Sequence, residues 1–252
     1  MQKIFLGVAV AATVIGAFFA TKTLVDIEKN IALASDYARP ANLKLIKITA
    51  PDCPDCFDIE AAIAALKKQN VSVSEEKALA FDSSEAESLI KQLGIKRLPT
   101  YIATGEVGKN NLESFIKNNG EIKNDTFVFT NIIPIFIDSE SKREVGRISV
   151  TYLVDSACTG CYDPVKIQKP ILLQRYGVKL ENERSLDIAS QEGKRLMAKY
   201  KITQVPTILL SPDADQYAGL KNVWKSVGTI ESDGWYVFRE MKQLGDIKYK
   251  NL

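Results

Sequence analysis

The pattern of hydrophobic and polar positions predicts the same succession of strands and helices twice along this chain. The first copy opens with an apolar strand at 43–48, followed by a helix whose apolar positions recur every three or four residues between 56 and 66. A further strand is predicted at 71–75. Asp82–Glu85 is a helix-start signal of the capping-box kind, so a second helix is predicted to run to Leu93 and to stop at Gly94. A strand at 101–103 follows it.

The second copy repeats these elements in the same order. A strand at 148–154 is followed by a helix that runs towards Tyr176 and that Pro170 should kink or break. Another strand is predicted around 178–182. A helix opening at 190–193 ends near residue 200, and the strand 208–210 follows.

Landmark residues recur at nearly equal spacing in the two copies. A cysteine is followed by a proline after 46 positions in the first copy and 48 in the second, and the proline by a glycine after 21 and 22. The landmarks are Cys53, Pro99 and Gly120 in the first copy and Cys158, Pro206 and Gly228 in the second. We therefore predict two copies of one α/β unit, 41–131 and 144–252, joined by a linker at 132–143.

An uncharged stretch of 18 residues, Ile4–Thr21, precedes the two copies. As a helix it would be about 27 Å long, just enough to cross a bilayer core. Because small residues do not fall at −3 and −1 of a cleavage site, residues 1–22 are predicted to be a signal anchor rather than a cleaved signal peptide. Apolar positions at helical spacing predict a helical stalk at 23–40. A short cytoplasmic N-terminus would place the remainder outside the cytoplasm, and cleavage would make the protein secreted.

Composition narrows the function classes. The chain has 252 residues, 46% of them hydrophobic, which is enough for two domains with buried cores. A near balance of 33 basic and 31 acidic residues argues against a nucleic-acid partner. The chain has no histidine, so it cannot by itself build a Ser-His-Asp triad or a His-ligated zinc enzyme.

All four cysteines belong to two Cys-x-x-Cys pairs, Cys53 with Cys56 and Cys158 with Cys161. Cysteines used in this way suit an oxidising compartment, and a Cys-x-x-Cys beside a βαβ pattern indicates a redox motif. A shared zinc site is an alternative, although 101 residues separate the pairs where a zinc ribbon has about 15–20. Copper handling is a weaker alternative because the chain has only three methionines. The main alternative is a pair of structural disulfides.

The order strand, Cys-x-x-Cys, helix, strand, helix, X-Pro-Thr, strand resembles the thioredoxin fold. The tandem arrangement is similar to two-domain protein disulfide oxidoreductases. This resemblance implies an α/β protein with two tandem thioredoxin-like domains, each a mixed central sheet with helices on both faces. The domains would follow the N-terminal transmembrane helix predicted from the uncharged stretch. The resemblance also implies that the two prolines are cis, face the disulfides and guide the substrate backbone. The substrate-binding residues that it implies are Leu98, Pro99, Val205 and Pro206.

The sequence departs from the family at two positions in each copy. Asp52 and Ala157 stand where thioredoxins usually have a tryptophan. Lys47 and Tyr152 stand where many have a buried acid that relays protons. The sequence therefore does not specify the reaction rate, the reduction potential or the substrate.

The resemblance implies different roles for the two cysteines of a pair. Cys53 and Cys158, at or just before a helix N-terminus, would be the nucleophiles because unpaired N–H groups there stabilise a thiolate. Cys56 and Cys161, further into the helix and more buried, would resolve the mixed disulfide. An enzyme should leave the nucleophiles partly exposed and facing the prolines, whereas a scaffold can bury them.

Acidic residues surround the first pair, at positions 52, 55 and 58. Nearby carboxylates oppose thiolate formation, so the first pair is predicted to be the more reducing of the two. At the second pair, Asp155 and Asp163 are partly offset by Lys166.

The sequence thus predicts a membrane-anchored, extracytoplasmic thiol–disulfide oxidoreductase acting on protein substrates. The cysteines carry the electrons, so neither a dissolved cofactor nor a metal is expected, but a redox partner must regenerate them. The alternative is a redox-inert thioredoxin-like binding or scaffold module.

Overall fold

The computed structural model describes residues 27–31, 34–36 and 38–252. Residues 27–31 and 34–36, which belong to the predicted stalk, are helical and exposed. The predicted anchor at 1–22 lies outside the described residues. Within the described ranges, no helix is both long and apolar enough to cross a membrane.

The strands follow the two predicted copies. Those of the first copy and the segment after it are β1 (Ala41–Thr49), β2 (Val71–Ala80), β3 (Arg97–Leu98), β4 (Thr100–Gly105), β5 (Gly120–Lys123), β6 (Thr126–Phe129), β7 (Phe136–Asp138) and β8 (Glu144–Val145). Those of the second copy are β9 (Arg147–Val154), β10 (Lys179–Asp187), β11 (Gln204–Val205), β12 (Thr207–Leu210), β13 (Gly228–Ile230), β14 (Tyr236–Phe238) and β15 (Lys250–Asn251).

The α-helices lie between these strands. They are α1 (Ile59–Lys67), α2 (Ser84–Leu93), α3 (Glu113–Asn119), α4 (Pro164–Pro170), α5 (Gln191–Tyr200) and α6 (Ala218–Val227). The predicted break at Pro170 is confirmed, since α4 ends there and Ile171–Arg175 continues as a π-helical turn. Short 3₁₀ segments are Asn110–Leu112, Pro212–Gln216 and Met241–Leu244.

The described residues form two five-stranded sheets. Their strand orders are β2-β1-β4-β6-β5 and β10-β9-β12-β14-β13, which match position by position. The second sheet is mixed, because β10 runs parallel to β9 whereas β12 pairs antiparallel with both β9 and β14. In the first sheet β6 pairs antiparallel with β4 and with β5.

Alternation along the strands of the second sheet sends side chains to opposite faces. Val150 and Tyr152 pack on one face with Trp224 of α6. Leu153 packs on the other face with Tyr200 of α5. Helices therefore cover both faces of this sheet, as the period-2 pattern of β9 requires.

Capping residues place two of the helices where the sequence predicts them. Ser83 precedes α2 and its hydroxyl accepts a hydrogen bond from the Ala86 N–H; Ser190 precedes α5 and accepts from the Gly193 N–H. Gly94, at φ 60°, ends α2 in the left-handed conformation. These three positions confirm the predicted helix boundaries.

Two short sheets lie at the prolines. One contains β3, β7 and β8, and the other contains β11 and β15. The predicted linker at 132–143 thus contains the strand β7, whose Phe136 is 2% exposed.

The chain divides into two compact units. One consists of the described residues up to Ile46 with Glu60–Lys77 and Tyr101–Phe129, and the other of Lys47–Ile59, Ala78–Thr100 and Thr130–Leu252. Tyr101 stacks on Phe129 in the first, with ring centroids 5.0 Å apart. Both cysteine pairs and both prolines belong to the second.

Candidate functional site

Both Cys-x-x-Cys pairs are closed as disulfides. Cys53 is bonded to Cys56 and Cys158 to Cys161, with Cα atoms 5.3 and 5.4 Å apart. Each cysteine therefore pairs with its own motif partner.

Each pair lies on a turn that precedes its helix. The N–H of the second cysteine donates to the carbonyl of the first at 3.2 Å in both copies. The helices begin three residues after Cys56 and Cys161, at Ile59 and Pro164. Cys53 and Cys158 thus lie six residues before their helices, and the prediction that Cys56 and Cys161 lie further into the helix is wrong.

Asp163 explains the displacement in the second copy. Its carboxylate accepts hydrogen bonds from the N–H groups of Val165 and Lys166, at 2.9 and 3.4 Å, and Pro164 occupies the first helical position. Aspartate as N-cap followed by proline is a favoured helix start, and this signal is visible in the sequence. The N–H groups that would stabilise a thiolate are thus already taken by a carboxylate.

The two pairs differ in exposure. Cys53 is buried at 6% exposure and Cys56 is half-buried, whereas Cys158 and Cys161 are both half-buried. Cys158 has the partial exposure expected of an enzyme, whereas Cys53 is buried, as a scaffold allows. Packing of residues distant in sequence decides this difference.

Both prolines are cis, and the first of them lies beside its disulfide. Leu98-Pro99 and Val205-Pro206 are cis, as predicted. Cys53, Cys56 and Pro99 line one cleft of about 270 Å³.

In the second copy Tyr162, next to Cys161, donates its hydroxyl to the Pro206 carbonyl at 2.9 Å. The predicted substrate-binding residues Leu98 and Val205 have buried side chains, and their backbones pair with β7 and β15, respectively.

A carboxylate missed by sequence reasoning contacts the first pair. Oε2 of Glu144 lies 3.3 Å from Sγ of Cys53, although the two residues are 91 positions apart. Arg147 pairs with Glu144 and, at 2.7 Å, with Asp55 inside the motif. These two carboxylates raise the pKa of Arg147. Nothing local in the sequence announces this cluster.

Neutralising Glu144 is expected to make the first pair less reducing. The carboxylate opposes a thiolate on Cys53, so Glu144→Gln should favour the reduced pair and raise its reduction potential by about 30 mV, a tenfold change for a two-electron couple. Redox titration of this pair measures the shift. Glu140→Gln is the matched control because it removes the same charge at an exposed site paired with Lys96. An unchanged or lower potential in Glu144→Gln contradicts the argument.

The second pair has its own acid, with a lysine partner. Oδ2 of Asp155 lies 2.6 Å from Nζ of Lys250, and the Asp155 side chain is only 7% exposed. The Lys250 ammonium, helped by the Ala157 N–H, holds the pKa of Asp155 below its usual range. The Asp155 carbonyl accepts from the Cys158 N–H at 3.0 Å, so this ion pair borders the disulfide.

The acidic and sulfur-bearing side chains do not gather into a metal site in the described part of the chain. In residues 27–31, 34–36 and 38–252, no group of three or more Cys, Asp or Glu side chains is placed to hold a metal ion.

Comparisons with known proteins give weak matches. No family model matches the chain, and no curated protein matches it. Solved structures that overlap it include the alkylhydroperoxide reductase AhpF of Enterococcus faecalis, at 16% identity and a TM-score of 0.20, covering 73% of this chain and 88% of that one. The match to the N-terminal domain of AhpF covers 73% of this chain and 89% of that domain, at 14% identity and a TM-score of 0.21. The match to ERdj5 covers 71% of this chain and 24% of ERdj5, at 11% identity and a TM-score of 0.21. TM-scores of this size do not establish a shared fold.

Proposed function

We propose that this protein catalyses thiol–disulfide exchange on protein substrates through Cys158 and Cys161. The observation that carries the proposal is a disulfide between two half-buried cysteines, on a turn that a hydrogen bond from Tyr162 joins to the Pro206 loop. A reactive pair must be reached by a second sulfur, and both sulfur-bearing residues here retain exposed surface.

The proposal includes two tandem thioredoxin-like domains. Its support is the recurrence of one sheet order in both copies, with each cysteine turn between the first strand and first helix of its copy and each proline before a central strand. A membrane anchor in residues 1–22 and an extracytoplasmic site belong to the same proposal, on the basis of the uncharged Ile4–Thr21.

Each exchange uses the reduced pair and the substrate, and a thiol reductant such as glutathione must first open the Cys158–Cys161 disulfide by supplying two electrons. The Cys158 thiolate attacks one sulfur of a substrate disulfide, forms a new S–S bond to it and releases the other sulfur as a thiolate. The Cys161 thiolate then attacks Sγ of Cys158, which closes the Cys158–Cys161 disulfide and releases the second substrate thiolate. Two electrons pass to the substrate, and the released thiolates take up protons from water. In reverse, the same steps oxidise a substrate dithiol.

The first pair fits the alternative role, a structural disulfide. Cys53 is 6% exposed and lies against Glu144, so its sulfur is shielded and the carboxylate opposes its thiolate. We therefore propose unequal pairs, with exchange at the second.

Reduction potentials test this assignment. In glutathione buffers the full chain should titrate with the second pair between about −270 and −120 mV and the first below about −300 mV. Variants that carry serine at both cysteines of one pair assign each transition. If both pairs lie below about −300 mV and an insulin-type substrate is not reduced, the protein is a redox-inert module and the proposal fails.

A further inference from the structure

The hydrogen-bonding edge of β11, next to Pro206, is paired with a later segment of the same chain. β15 pairs antiparallel with β11, so that Lys250 lies opposite Val205. The Leu252 N–H donates to the Thr203 carbonyl at 2.8 Å, and the Tyr162 N–H donates to the Lys248 carbonyl at 2.9 Å. Residues 248–252 thus lie extended between the proline loop and the residue that follows Cys161.

The ion pair between Asp155 and Lys250 determines which charge a ligand of β11 must carry. Asp155 keeps its side chain 7% exposed and meets only one described cation within ion-pair distance, Nζ of Lys250 at 2.6 Å. Asp187, the other charged group acting on Asp155, is also acidic and accepts from the Ser156 N–H. An aspartate beside a second acid favours a cation, so this edge discriminates between ligands by charge.

The segment 248–252 buries little apolar surface, since only Tyr249 of its residues packs against the hydrophobic core of the second sheet. Both residues of β15 are exposed, and Leu252 is 51% exposed. In the first copy the equivalent strand β7 is buried, with Phe136 and Ile137 at 2% and 8% exposure. Because burial of apolar side chains provides most of the free energy that holds a strand in place, β15 is the one of the two that a ligand can displace.

We propose that Thr203–Val205 and Asp155 form a binding site for an extended polypeptide segment that carries a lysine or arginine opposite Asp155, and that residues 248–252 compete for it from within the chain. The ligand pairs with β11 as an added strand, and its cation replaces Lys250. That this ligand is the exchange substrate rests on the proposed function. The binding site itself does not.

A cysteine-free peptide tests the site directly. A fluorescein-labelled peptide of residues 248–252 is added to the full chain, and its anisotropy is measured. Lys250→Glu in the protein should increase the peptide's affinity about tenfold over wild type, because the internal competitor is weakened. Combining Lys250→Glu with Asp155→Asn should abolish that gain, and a peptide with glutamate at the central lysine should bind at least about tenfold more weakly.

Lys242→Glu is the matched control because it makes the same charge change at an exposed nearby lysine outside β15. It should leave peptide affinity at the wild-type value. Thermal unfolding of each variant shows whether the fold is retained. If the peptide binds wild type, Lys250→Glu and the double variant equally, the inference is wrong.

Turnover of an insulin-type substrate, measured on the same variants, separates this inference from the proposed function. Exchange with no selectivity for the basic peptide overturns the inference alone. The predicted peptide selectivity without exchange overturns the proposed function and leaves the binding site.

Discussion

Replacing both Cys158 and Cys161 by serine is expected to lower turnover of a protein disulfide at least about 100-fold, because the sulfur that forms the mixed disulfide is lost. The same replacement at Cys53 and Cys56 is expected to leave turnover within about threefold of wild type. The difference follows from exposure, since Cys53 is 6% exposed whereas Cys158 and Cys161 are half-buried.

The two double variants serve as controls for each other. Each removes a disulfide with a sequence separation of 3, and so short a loop contributes about 2 kcal/mol in the chain-entropy model. Both variants should therefore lose similar stability, and only one should lose activity. Insulin reduction, followed well below the unfolding temperature, measures the effect. Equal losses of activity in the two variants would mean that both pairs take part.

Gly228→Ala is expected to lower the free energy of unfolding by about 3 kcal/mol. A Cβ at this position would lie 2.2 Å from the Val237 carbonyl oxygen and 2.8 Å from Nε1 of Trp224. Val237 lies in the neighbouring strand and Trp224 is buried at 2% exposure, so neither can move without breaking packing or pairing. The backbone is extended here, which means that the cost comes from the close approach alone.

Thermal unfolding measures this cost. A loss of about 3 kcal/mol lowers the unfolding temperature by roughly 6–12 °C in a chain of this size. Gly108→Ala is the control, because a Cβ there meets nothing within 4 Å and its effect should be near zero. Gly120→Ala should behave like Gly228→Ala, since its Cβ would lie 2.0 Å from the Val128 carbonyl oxygen. If Gly228→Ala unfolds at the temperature of Gly108→Ala, the close packing of β13 against β14 is wrong.

The elements that sequence predicts well are those specified by neighbouring residues. Ser83 and Gly94 bracket α2 because a hydroxyl cap and a left-handed glycine act within one helical turn. The spacing of Gly120 and Gly228 predicts equivalent positions in two copies, although only the structure shows that a Cβ at either position would meet a carbonyl oxygen. Such signals act between neighbouring residues, so they do not depend on which distant residues pack around them.

The features that sequence misses depend on residues that meet only after folding. Glu144 reaches Cys53 across 91 positions, and no periodicity encodes that contact. Cys53 is buried for the same reason, by packing and not by its immediate neighbours along the chain, which are exposed. The helix start at Pro164 is a different case, because Asp163 announces it locally and the family resemblance pointed to an earlier start.

In both copies a short strand pairs with the residues before the cis-proline, β7 in the first and β15 in the second, and two neighbouring backbone hydrogen bonds correspond. Phe57 donates to Ile135 as Tyr162 donates to Lys248, and Ser139 donates to Lys96 as Leu252 donates to Thr203. In each copy, therefore, the short strand before the cis-proline is paired from within the chain, by a buried strand in the first copy and by an exposed strand in the second.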